Sequence, residues 1–235
     1  MAGLEKSSWS RALRIRNQTV REMLSEMLGT FVLTLFSVAA GAQYTLSHQQ
    51  NASFLALNVA NGFGVTLAIY SCGGVSGGCV NPAISLTMCL TGRLPWKRYP
   101  FHVIGQICGA FIAACLVYGV YHEAIDMYDG GNRYVTGKEA TAGIFCFFPQ
   151  DYLSAEGGFL DSIVGTGMLV LSSLAVIDTR NMNPSPGFSA FPVGVAVMVI
   201  GNTFGMNSGY PINPARDLGP RIFITIAGWG REAFR

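Results

Sequence analysis

Residues 76–86 read SGGCVNPAISL, and residues 208–218 read SGYPINPARDL. Both begin Ser-Gly, run through three further residues and arrive at Asn-Pro-Ala, and both lie in apolar surroundings. Asparagine is a good helix N-cap, and proline suits the first helical position, where its missing N–H removes nothing the helix needs. Each motif therefore reads as glycine-loosened backbone that turns into a helix start at Asn81 or Asn213.

Working outward, the distribution of charge identifies the surroundings. Of 235 residues, 50% are apolar and 12% charged, a balance open to a large soluble domain or a membrane bundle. No Asp, Glu, Lys or Arg occurs from Met27 to Gly92, from Tyr99 to His122, from Ser162 to Ile177, or from Asn181 to Ala215. No soluble surface is built that way, and a hydrocarbon core of roughly 30 Å is crossed by about 20 helical residues. The chain reads as an all-α membrane protein with spans at Ser25–Leu46, Phe54–Cys72, Tyr99–Tyr121, Gly158–Ile177 and Phe191–Met206. The first apolar stretch follows a basic leader and exceeds the roughly 7 to 15 apolar residues of a signal peptide, so none is expected.

The leader carries Lys6, Arg11, Arg14, Arg16 and Arg21, and the loop RLPWKR (93–98) is also basic, which places both in the cytosol. Glu123 to Asp161, with seven acids and two bases, then faces outward. Asn51-Ala-Ser53 is an outward N-glycosylation acceptor, while Asn17-Gln-Thr19 is cytosolic and silent. A net charge of +2 gives no reason to invoke nucleic acid. The cysteines at 72, 79, 89, 108, 115 and 146 lack metal-type spacing and read as small packing residues, Cys79 excepted for its place in the first motif. No metal or cofactor is expected. Nor is an enzyme: no Ser/His/Asp set or pair of intramembrane carboxylates is visible, and His48, His102 and His122 fall near span ends.

Two apolar pieces, Gly73–Gly92 and Asn207–Ala227, are too short to cross and are broken by glycine and proline. Such segments at matching places in two halves point to discontinuous helices at a central site. Three spans separate them, so the halves are inverted. Bare backbone in lipid costs several kcal/mol per unsatisfied group, and is tolerated where it lines a water-filled path. Facing helix N-termini each bring roughly half a positive charge. With two asparagine amides, they make a path that accepts neutral hydroxylic solutes and resists cations and protons.

At this point the chain resembles the aquaporin family, and within it the aquaglyceroporin branch. The resemblance rests on SEMLGTF (25–31), the two SGxxxNPA segments, NPARDLGPRIF (213–223), AGWG (227–230), Asp217 after Arg216, and the long loop around GIFCFFPQDYLS (143–154). It implies one domain over 1–235, with repeats at about 22–122 and 158–235. It also implies an inverted-repeat bundle of six spans and two half-helices, assembled as a homotetramer in the plasma membrane with one pore per subunit. The implied function is a passive channel for glycerol and water, extending to urea and other small neutral solutes. Asn81, Pro82, Ala83, Asn213, Pro214 and Ala215 form the pore motifs. Asn61, Gly201, Tyr210 and Arg216 form the filter, with Gly201 leaving width opposite Tyr210. Arg216 either faces the pore or pairs with Asp217; Glu26 either accepts hydrogen bonds from a re-entrant loop or faces the interface.

The sequence departs from the family pattern in several places. Cys79 stands where His is usual, and Asn61 at a filter position more often aromatic or glycine. Ser162 stands where the second half usually carries Glu or Gln, which anticipates weaker buried hydrogen bonding there. The chain ends at Arg235, before a sixth spanning helix, so a bundle without that helix is expected. The alternative function is then a fragment or shortened, non-conducting isoform that associates with full-length subunits.

Overall fold

The computed structural model describes residues 14–182, 184–185 and 187–234; Lys6 and Arg11 of the basic leader lie outside them. Among the described residues there is no strand, and seven α-helices occur. These are α1 (Gln18–Leu46), α2 (Phe54–Ser76), α3 (Pro82–Leu90), α4 (Tyr99–Asp129), α5 (Ala155–Ile177), α6 (Ala190–Ser208) and α7 (Pro214–Ile224). Five segments are long and apolar enough to cross a membrane: α1, α2, Trp96–Asp129, α5 and α6. The protein is a multi-pass helical membrane protein with two half-helices, α3 and α7.

Helix ends follow local chemistry more closely than hydropathy. α1 starts at Gln18 because the Asn17 side chain accepts a hydrogen bond from the Val20 N–H at 3.2 Å. The early start puts the charged Glu22 on the helix, where it is 5% exposed. Ser53 caps α2 through the Ala56 N–H. α2 passes the expected end at Cys72, runs through Gly73-Gly74 and stops at Gly77, whose φ of 90° ends the helix in the left-handed region. The first re-entrant stretch is therefore only the few residues between Ser76 and Pro82. α4 extends past the expected Tyr121 to Asp129, because the carboxylate there is buried in a network. It accepts from Arg133 Nη1 at 3.0 Å and from Thr141 Oγ1 at 2.9 Å. Trp229 Nε1 in turn donates to Thr141 Oγ1 at 3.1 Å.

Glycine sets the closest helix crossings. A Cβ on Gly109 of α4 would lie 2.1 Å from the Met27 carbonyl oxygen of α1. At the α2–α6 crossing, a Cβ on Gly62 would lie 2.5 Å from the Gly194 carbonyl oxygen. Small residues bring backbones together where lipid offers no hydrophobic driving force between helices.

The loops sort to two ends. His48 stacks on Tyr128 at 5.1 Å between ring centroids, which joins the α1–α2 loop to the far end of α4. At the other end, Arg98 Nη1 meets Glu22 Oε1 at 2.8 Å, which joins the basic loop to the beginning of α1. Asn51 is exposed in the first of these groups. The half-helices start between the two ends, pointing in opposite directions.

Candidate functional site

Each Asn-Pro-Ala motif is a working N-cap. Asn81 Oδ1 accepts from the Ala83 N–H at 2.9 Å, and Asn213 Oδ1 accepts from Ala215 N–H at 3.1 Å and Arg216 N–H at 3.3 Å. Pro82 and Pro214 occupy the first turn. With their oxygens committed, the amide nitrogens reach across: Asn81 Nδ2 donates to the Ile212 carbonyl and Asn213 Nδ2 to the Val80 carbonyl, both at 2.9 Å. Each amide has two N–H donors. One is used in this clasp, and the other is left at a site where both asparagines line the cavity.

That cavity has a volume of about 400 Å³. Its wall is mixed: Leu33, Val65, Ile69, Leu169, Val193 and Val197 supply hydrocarbon. Asn61, Asn81, Tyr210, Asn213 and Arg216 supply donors and acceptors.

Arg216, 8% exposed, is fixed by two donations, Nε to Ser37 Oγ at 3.0 Å and Nη1 to the Phe145 carbonyl at 2.6 Å. Its guanidinium carbon sits 4.3 Å from the centre of the Phe147 ring. Two of its five N–H donors are thereby engaged. Asp217 is not its partner. That carboxylate accepts from the Phe147 N–H at 2.8 Å and from Arg221 Nε at 2.8 Å. Asp217 and Arg221 thus pin the loop whose Phe145 and Phe147 position Arg216. Burial, reinforced by the Asp217 carboxylate, pushes the Cys146 thiol in this loop up to about 12, so it adds no charge at neutral pH.

Tyr210 stands at φ 51°, a left-handed conformation that bulky residues rarely adopt. Its hydroxyl donates to Asn58 Oδ1 at 2.6 Å and accepts from Asn61 Nδ2. Asn61 Oδ1 is buried without a partner. Gly201 differs from expectation: it is not on the cavity wall. A Cβ there would lie 2.2 Å from Asn58 Oδ1 and 2.7 Å from Tyr210 Cζ. Its missing side chain makes room for the Asn58–Tyr210 pair rather than for a solute directly. Asn58 was not singled out from the sequence because it is the first of two amides, Asn58 and Asn61, on one helix, and spacing alone does not say that both face Tyr210.

Glu26 is 0% exposed and gathers four donors. Oε1 accepts from Ser76 Oγ at 2.6 Å and Cys79 N–H at 3.0 Å, and Oε2 from Val80 N–H at 2.7 Å and Gln106 Nε2 at 2.6 Å. It holds the re-entrant backbone and does not face the interface. In the second half, Ser162 donates only to the Gly158 carbonyl of its own helix. The carboxylate that reaches the second motif is its neighbour Asp161, which accepts from the Ser208 hydroxyl. Ser162 thus brings no side-chain bond to the second motif, and Asp161, a rotation of about 100° away on the helix, does.

His102 falls near a span end, as expected, and is also buried. It lies close to the start of α4 but is 0% exposed, with Nε2 3.8 Å from Glu22 Oε2 and Nδ1 4.0 Å from Glu26 Oε1. Two buried carboxylates, Glu22 and Glu26, therefore share one end of α1. Their i, i+4 spacing was the available signal, masked by the reading of Glu22 as part of the leader.

A bundle with two half-helices that meet at their N-termini beside a cavity of mixed polar and apolar lining defines a membrane channel. The sequence profile of the family described as Major intrinsic protein matches residues 14–229, and the chain belongs to that family. Human Aquaporin-10 is 46% identical over 222 residues, covering 94% of this chain and 74% of the relative. Human Aquaporin-9 is 42% identical over 234 residues, covering 99% and 79%. Mouse Aquaporin-7 is 42% identical over 221 residues, covering 94% and 73%. Among solved structures, the aquaglyceroporin from Plasmodium falciparum superposes with a TM-score of 0.82 at 29% identity, over 92% of this chain and 85% of that one.

Proposed function

We propose that this chain is a passive channel for glycerol and water in which Asn61, Tyr210 and Arg216 form the filter and Asn81 and Asn213 the midpoint. The observation that carries this is the mixed wall. Glycerol has hydroxyls along one edge and carbon along the other. A wall that carries the polar groups of Arg216, Asn213 and Asn81 together with the hydrocarbon of Leu33, Val65 and Val197 offers partners for both. A solute hydroxyl meets Arg216 donors not used by Ser37 or Phe145, then the second N–H of each asparagine. Cations meet a fixed guanidinium and the positive ends of two half-helices, with no carboxylate among the described residues of the cavity wall to offset them.

Family membership supports the wider arrangement: a homotetramer in the plasma membrane, the N-terminus cytoplasmic, repeats at about 22–122 and 158–235, and Asn51 glycosylated outside. Urea and other small neutral solutes fit the same wall. The test is stopped-flow light scattering on proteoliposomes in glycerol, urea and sucrose gradients. Glycerol-driven volume recovery faster than in empty vesicles is expected; recovery at the rate of empty vesicles would overturn the reading.

A further inference from the structure

Cys79, Glu26 and His102 come from a re-entrant loop and two different helices, so no spacing in the sequence announces them. Each offers one ligand atom, and these atoms lie within 4.8 Å of one another. Cys79 lines the cavity, whereas Glu26 and His102 stand behind it, both 0% exposed. A thiol, an imidazole and a carboxylate are the donors that zinc selects, and three protein ligands with a fourth position open is the arrangement of an accessible zinc site. Two features of His102 strengthen the case. Both its ring nitrogens are buried without a hydrogen-bond partner, an arrangement that leaves a costly polar group unsatisfied. The nitrogen nearer Glu26 is Nδ1, at 4.0 Å from Oε1, and the opposite one faces Glu22 Oε2 at 3.8 Å. Glu22 is itself fixed by Arg98 and Gln18. A carboxylate behind the far nitrogen of a ligating histidine is the usual second layer of a zinc site.

We infer that Cys79, Glu26 and His102 form an inhibitory site for zinc or a similar thiophilic divalent cation, entered from the end of the cavity lined by Arg93 and Leu94. Zinc binding displaces the Cys79 thiol proton to solvent and forms Zn–S, Zn–N and Zn–O bonds, with no change of oxidation state. The three ligands close by about 1 Å to reach zinc's bond lengths of roughly 2.0–2.3 Å. The charge balances locally: one thiolate and the Glu26 carboxylate neutralise the dication. The open position then projects a bound water into the path beside Asn81. Drawing Glu26 Oε1 onto the ion also releases the Ser76 hydroxyl, another group on the cavity wall.

The binding itself is tested without transport. Cobalt(II) titrated into the purified full chain in detergent should give a thiolate-to-cobalt absorption band and four-coordinate d–d bands, both displaced by zinc. Cys79→Ser should remove the first band and His102→Asn should weaken the second, in protein that remains monodisperse. The effect on flux rests on the channel reading. In glycerol-conducting proteoliposomes, each variant normalised to its own metal-free rate, either substitution should raise the half-inhibiting zinc concentration about tenfold or more. No thiolate band, or half-inhibition unchanged in both variants, would overturn the site; a band with zinc-insensitive flux would overturn the block. Vesicles that never conduct glycerol would count against the channel reading alone, since the cobalt spectrum is recorded without transport.

Discussion

In the first re-entrant segment Gly78 stands at φ 66°, and at the matching place in the second, Tyr210 stands at φ 51°. Both follow a left-handed glycine, Gly77 or Gly209, that ends a spanning helix. The first segment carries a further left-handed residue, Val80 at φ 45°, whose N–H is held by Glu26. A β-branched or aromatic residue in that conformation costs roughly 1–2 kcal/mol, so each segment needs something to hold it. The first is held at its backbone by a buried carboxylate. The second is held at a side chain, the Tyr210 hydroxyl between Asn58 and Asn61. The difference separates two tasks. The first segment is a rigid floor, while the second spends its restraint on placing an aromatic ring on the cavity wall that Arg216 also lines.

If that division is right, the variants should rank accordingly. Glu26→Ala leaves two buried backbone N–H groups, at Cys79 and Val80, without an acceptor and should destabilise by about 3 kcal/mol or more. It is read as a lower unfolding midpoint in detergent, and stability equal to the parent would break the comparison. Arg216→Ala should leave stability closer to the parent but weaken ion exclusion. A unit charge about 6 Å from a passing cation at an effective dielectric of about 20 is worth roughly 3 kcal/mol, on the order of a hundredfold in leak. Ion flux in dye-loaded vesicles measures it. Gly201→Ala forces the Asn58–Tyr210 pair to move and should cost about 1–3 kcal/mol. Glycerol flux should fall more than water flux, because the displaced ring enters the path; equal losses would mean that Gly201 acts only on folding. Asp161→Asn keeps an acceptor for Ser208 and should cost under about 1 kcal/mol. A loss as large as that of Glu26→Ala would show that the second half is also floored by a carboxylate.

Much of the bundle was legible in the sequence because charge-free runs of spanning length and a duplicated helix start are strong, local signals. The helix starts at Asn81 and Asn213 follow from the same motifs, whereas the clasp of their amides onto the Ile212 and Val80 carbonyls was not foreseen. Helix ends were less legible: α2 continues across Gly73-Gly74, since weak propensity alone does not end a helix and the left-handed Gly77 does, and α4 reaches Asp129 because Arg133 and Thr141 satisfy its charge. Side-chain direction was the least legible. Asp161 against Ser162, and the addition of Asn58 to Asn61, depend on helix rotation, which hydropathy does not record in a segment apolar on every face. Gly201 shows a related difficulty, since the sequence reveals that space is kept but not for which neighbour. His102 falls near a helix start as expected, but its complete burial was not legible, because it depends on what packs over that end.

The clasp also has a consequence in time. Asn81 finds its acceptor 131 residues later in the chain, and Asn213 reaches back across 133. At a synthesis rate of about 5–20 residues per second, the first half waits on the order of ten seconds for its counterpart. During that interval the loop before α3 is held chiefly by the Glu26 carboxylate, with Ser76 Oγ accepting from the Gly78 N–H and Gln106 donating to Ser85 in the first turn of the helix. Glu26 lies upstream of Val80 and emerges from the ribosome before it, so the early half carries its own scaffold while the late half closes onto a floor already laid.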